Sequence, residues 1–156
     1  MKKISSKRNK TETDLEEMAH LEFLGSLYMD NGNPVIPGEV MEATLREGAK
    51  KNKKGKDFTR ALRCPENFPL IFDGPKEPEK LWKEEKFRFA KLVKVQKNKV
   101  LRMRVKFDEW ASEILIQYDE SVLDEKDIES AMKEAGDRSL LMDWAGRYGA
   151  FTFERL

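Results

Sequence analysis

The chain has 156 residues, with 30 Lys and Arg against 29 Asp and Glu, one His and one Cys. That length can bury a core without disulfides or a metal, and a lone Cys excludes an internal disulfide or a cysteine-based zinc site within one chain. The net charge of +1 excludes a bulk basic protein.

Residues 1–18 carry few large apolar side chains and are expected to be a flexible tail, disordered or weakly helical, leaving residues 19–156 as a single α+β domain. His20 to Tyr28 reads as a strand that stops at Asp30-Asn31-Gly32-Asn33-Pro34, where Asn31-Gly32 is a tight-turn dipeptide. Val35-Ile36 forms a short returning strand. Pro37 suits the first turn of a helix, and Val40, Met41, Thr44, Leu45 and Ala49 fall near one face of that helix, to about residue 50. The run KKNKKGKD at 50–57 is a basic loop. Phe58–Arg63 and Phe68–Phe72 read as short extended segments, limited by Pro65 and Pro69, and Trp82 packs back onto the domain.

The strongest pattern lies at 86–118. Phe87, Phe89, Val93 and Val95 share one parity, with Lys91 interrupting, and after a turn at Gln96-Lys97-Asn98-Lys99 the residues Leu101, Met103, Val105 and Phe107 share the same parity without a break. Period two over both runs predicts a β-hairpin with one buried face, followed by a strand from Trp110 to Tyr118. Asp124 with Asp127 three positions on predicts a capped helix. Its stripe is Ile128, Ala131, Met132 and Ala135, with Gly136 at the C′ position. Tyr148–Phe153 closes the domain as a strand. This order matches the βαββαβ ferredoxin-like fold, with an insertion between the first helix and the central hairpin. The alternative is a less regular α+β domain with a longer meander.

Charge is segregated along the chain. Residues 44–60 hold seven cations against two acids, and residues 108–134 hold ten acids against two cations. Such a molecule attracts a polyanion on one side only, although charge runs are most often plain solvated faces. If the hairpin buries its aromatic face, Arg88, Lys94, Arg102, Arg104 and Lys106 point outward and offer a platform for phosphates. Lys53, Lys54 and Lys56 add a basic loop. Near the end, Arg147 between Gly146 and Gly149 has the chemistry to fork onto a phosphate, and Trp144 or Tyr148 to stack on a base. A tight turn with two core aromatics is the ordinary account of the same residues. His20, near Glu16, Glu17 and Glu22, has general-base chemistry but reads better as a surface His. Cys64 follows Arg60 and Arg63, which would lower its pKa, yet reads as an incidental thiol. No metal-ligand spacing, phosphate-binding Walker loop or nucleophile elbow is present in the sequence.

Several pieces together carry a resemblance: Val35-Ile36-Pro37-Gly38-Glu39-Val40, Lys53-Lys54-Gly55-Lys56-Asp57, Phe68-Pro69-Leu70-Ile71-Phe72-Asp73-Gly74-Pro75, and Asp143-Trp144 with Arg147-Tyr148-Gly149 and Phe151. In this order they resemble a family of small proteins of tailed phages and prophages, over most of residues 20–155. In that family the last motif carries further arginines, where this chain has Ala145 and Ala150. The resemblance implies a phage origin and brings no assigned activity. At fold level alone, a ferredoxin-like domain with a Gly-containing loop before its last strand is similar to the RNA-binding RAMP proteins of CRISPR systems.

The expectation is therefore a non-enzymatic phage protein that binds RNA, DNA or a nucleotide through Lys53, Lys54, Lys56, Arg88, Arg102, Arg104, Arg147 and Tyr148, with no cofactor and no metal. The alternative is a protein-binding module, an inhibitor of host defence or an assembly subunit, that uses the acidic stretch. Phosphodiester chemistry at His20 or Tyr148 is a third reading. The hairpin edge offers a route to a homo-oligomer. No run reaches the roughly 18 apolar residues that span a bilayer, and the first twenty residues lack the apolar core of a signal peptide. The expected location is the cytoplasm of the host cell, with no membrane partner.

Overall fold

A reciprocal cap starts the first helix among the described residues. The Thr11 hydroxyl accepts from the Asp14 N–H at 3.2 Å, and the Asp14 carboxylate accepts from the Thr11 N–H at 3.0 Å. The structure, a computed structural model, describes residues 9–156. In chain order the elements are α1 (Glu12–Ser26), β1 (Met29–Asp30), β2 (Asn33–Ile36), α2 (Gly38–Ala49), α3 (Gly55–Ala61), β3 (Leu62–Arg63), β4 (Phe68–Pro69), α4 (Pro78–Lys83), β5 (Arg88–Val95), β6 (Asn98–Val105), β7 (Gln117–Tyr118) and α5 (Glu125–Asp137). The class is mixed α+β. A βαββαβ sheet is not among the described pairings: the strands form one three-stranded and two two-stranded antiparallel sheets.

The expected strand at His20–Tyr28 is instead the second half of α1 and its exit. Between Asp14 and Tyr28 there is no Val, Ile or Thr, so the apolar residues are Leu, Met, Ala and Phe, and the helix formers among them prevail once the cap is in place. Residues 12–18 of the expected tail are therefore helical, and residues 1–8 lie outside the described residues.

Within the span expected as one domain, the chain forms two compact units. One reaches to Val35 and resumes at Pro69–Ser112; the other comprises Ile36–Phe68 and Glu113–Leu156.

In the first unit, β1 and β2 turn at Asn31 and Gly32, both at positive φ (47° and 75°), as the dipeptide requires. The Pro34 carbonyl accepts from the Leu70 N–H at 2.9 Å. The core is Phe23, Leu81 and Phe87, with Leu24, Phe72, Trp82, Met103, Val105 and Phe107 packed on it. The rings of Phe72, Phe87 and Phe107 meet at 4.8 to 5.7 Å, edge-on or tilted. Of the expected strand at Trp110–Tyr118, this unit keeps a single bridge, Ile71↔Ala111, and β7 of the second unit is the other remnant.

In the second unit, α2 starts just after Pro37 and buries Met41, Leu45 and Ala49, as its periodicity predicts. It packs on α5 at Gly48, where a Cβ would collide with the Ala131 carbonyl. Asp124 and Asp127 form the expected capping box. Helix α5 runs one residue beyond Gly136, which is buried inside it against the Phe151 carbonyl rather than capping it. Phe58 lies in α3, so the extended segment expected at Phe58–Arg63 reduces to β3, paired with β7. The expected strand at Tyr148–Phe153 is not a strand. Gly149 sits at φ +87°, with the Leu141 carbonyl against it, and this turns the chain away from an extended path.

Candidate functional site

Residues 86–107 hold nine Lys and Arg and no Asp or Glu. They build the β5–β6 ribbon, whose register runs from Arg88↔Val105 to Val95↔Asn98 around a two-residue turn, with Gln96 at φ 55°. A two-residue turn pairs residues of opposite parity, and cross-strand partners share a face. Phe89 therefore sits beside Arg104, and Arg88 beside Val105. The five cations expected on one outward face are split, with Arg88 and Lys94 on one side and Arg102 and Arg104 on the other. A turn of four residues would split them in the same way, so equal parity in the two strands never meant one shared face.

At its base the ribbon is gripped by α1. The buried Glu22 carboxylate (8 % exposed) accepts from the Arg102 guanidinium and, at 2.9 Å, from the Met103 N–H. The Ser26 hydroxyl accepts from the Val105 N–H at 2.8 Å. Acceptors four residues apart on a helix are about 6 Å apart along its axis, close to the roughly 6.6 Å between alternate strand residues. Two side chains on consecutive helix turns thus satisfy two edge N–H groups of β6. Arg88 lies over the Trp82 ring at 5.1 Å and pairs with Glu85 at 3.5 Å; Arg104 donates to the Met103 carbonyl at 2.9 Å. Each of the three ribbon arginines expected as phosphate ligands thus has partners at the base of the ribbon.

The outer end differs. Lys94, Lys97 and Lys99 are exposed and enter no ion pair among the described residues. Lys94 and Lys99 are direct cross-strand partners, next to Leu92↔Leu101 on the same face. Those leucines are 63 % and 57 % exposed. Alternation of apolar residues does not single out Lys97 and Lys99. The acid-free window is the signal that finds them.

In the second unit the basic run expected as a loop at 50–57 ends inside α3, and it is partly neutralised. Lys51 pairs with Glu134 at 2.6 Å, Asn52 donates to Ser130 at 2.8 Å, and Lys54 donates to both Asp127 oxygens at 2.6 Å. The hydrogen bond from Lys54 holds the Asp127 carboxyl below its ordinary value of 3.8, and the same bond raises the Lys54 ammonium above 10.5. Lys54 is thus removed from the candidate phosphate ligands, while Lys53 and Lys56 stay exposed. Arg147 and Tyr148 are exposed together, the guanidinium 6.0 Å from the Tyr148 ring and Trp144 6.3 Å beyond.

The remaining chemical candidates have structural partners. His20 shares a hydrogen bond with Glu79 at 3.0 Å and lies 4.9 Å from the Trp82 ring. Burial, aided by Glu42, pushes the Cys64 thiol up to about 12. This reverses the expected effect of Arg60 and Arg63: Arg63 instead donates to the Thr59 and Leu62 carbonyls, and Arg60 pairs with Asp57 at 3.0 Å. Among the described residues no group of three or more His, Cys, Asp or Glu is placed to hold a metal, and no helix is long and apolar enough to cross a membrane. Compared with models of known families, with curated proteins and with solved structures, the chain matches none.

Proposed function

We propose that the chain is a nucleic-acid-binding protein without catalysis of its own, and that the β5–β6 ribbon is its binding element. The observation that carries this reading is the unpaired trio Lys94, Lys97 and Lys99 at the outer end of an acid-free stretch. Like charges directly opposite one another destabilise a bare hairpin, and a phosphate chain seated on Lys94↔Lys99 relieves that repulsion. Each such contact also releases counterions. In this reading the trio replaces Lys54, Arg88, Arg102 and Arg104 as phosphate ligands, with no need for a RAMP-like or ferredoxin-like sheet. A phage origin is proposed on the motif resemblance alone.

The test is retention of mixed DNA and RNA oligonucleotides at low salt. The wild-type chain should shift them, and a variant carrying Lys94→Glu, Lys97→Glu and Lys99→Glu should not. Absence of any shift by the wild type overturns the reading. Docking of a basic protein on residues 108–134 has less to draw on, because Asp108, Glu125, Asp127 and Glu134 are already in ion pairs.

A further inference from the structure

We propose that the ribbon end enters the major groove of B-form duplex DNA, an inference that rests on the nucleic-acid reading and narrows it. Only the base of β6 is covered by α1, through Glu22 and Ser26. The outer pairs, from Leu92↔Leu101 to the turn, are exposed apart from Val93 and Val100, which are half-buried. Two strands about 4.8 Å apart fit a major groove about 12 Å wide, but not a minor groove about 6 Å wide. The major groove of A-form RNA is too narrow and deep for side chains to read.

Single strands are held by aromatic stacking platforms, and residues 90–101 contain no aromatic side chain. What they do contain is an exposed apolar pair, Leu92↔Leu101, next to a lysine pair on the same face. In a major groove the leucines meet thymine methyl groups and base edges, while Lys94, Lys97 and Lys99 reach the flanking phosphates. A second copy of the ribbon is a poor occupant of this surface, since it would bring lysines against lysines along the strand edges.

The experiment measures fluorescence anisotropy of the full chain with a DNA duplex of about 20 base pairs, one of its strands alone, and the RNA duplex of the same sequence, over a salt series. The DNA duplex should bind at least about tenfold more tightly than either alternative. Replacing the three lysines by Ala should lower the slope of log K against log salt by about 2.7, at about 0.9 per phosphate contact. Leu92→Ser with Leu101→Ser should weaken duplex binding at an unchanged slope, with an unchanged circular dichroism spectrum. Methyl green, a major-groove ligand, should compete, and the minor-groove ligand netropsin should not. Equal or tighter binding to the single strand or the RNA duplex, or competition by netropsin alone, overturns the groove assignment while the nucleic-acid reading stands. No binding to any of the three overturns both.

Discussion

Two stretches of this chain are rich in lysine, and their charge is met to different extents. At 50–56, Lys51 lies on Glu134 and Lys54 on Asp127 of α5, Lys50 lies on Glu47, and Lys53 and Lys56 stay exposed. At 94–99 the lysines enter no ion pair among the described residues. The first stretch has the denser run of charge in the sequence, and yet three of its five lysines are paired, while none of the three at 94–99 enters an ion pair among the described residues. A count of cations in a window thus measures nothing about binding until their counter-charges are located, and a helix from elsewhere in the chain supplies them at 50–56. Within the ribbon the same distinction recurs: the arginines at its base hold structure, and the lysines at its end do not.

Breaking the grip of α1 on the ribbon should have the largest effect. Glu22→Ala leaves the Arg102 guanidinium and the Met103 N–H without their acceptor. It should lower unfolding stability by about 2–4 kcal/mol, measured by denaturant unfolding, and Glu22→Gln should cost clearly less because one acceptor oxygen survives. The corresponding lesion in the other unit is Gly48→Ala, which forces α2 and α5 apart at the Ala131 carbonyl. About 1–3 kcal/mol is expected there, read as a lower denaturation midpoint.

A pH titration sharpens the comparison further. Asp127 is depressed by Lys54, so its contribution is complete above 3.8 and disappears as pH falls through its lower folded value. Lys54 is raised by Asp127, so its contribution is complete below 10.5 and is lost as pH rises through its higher folded value. Lys54→Ala should therefore flatten the stability profile at both ends, as followed by thermal unfolding across pH. The smallest change is expected from Lys51→Ala. Its partner Glu134 is largely covered but Lys51 itself is exposed, so less than about 1 kcal/mol should be lost. Nucleic-acid affinity should remain within about twofold, whereas Lys97→Ala should lower the salt slope by about 0.9.

Much of the local structure is legible from residues a few positions apart. The Asn31-Gly32 turn, the α2 stripe of Met41, Leu45 and Ala49, and the Asp124/Asp127 cap all follow from short-range patterns. The Thr11/Asp14 box is of the same kind and equally readable; the density of Leu and Phe after it drew the expectation of a strand away from a helix. The faces of the hairpin were legible too, through the parity of its turn.

What the sequence by itself determined is this short-range set, together with the segregation of charge and the acid-free window at 86–107. The tertiary structure alone decided which cations are taken. The partners that neutralise Lys51, Lys54 and Arg102 lie 83, 73 and 80 residues away. Side chains that far apart meet only when packed helices and strands carry them together, and no local pattern encodes that meeting.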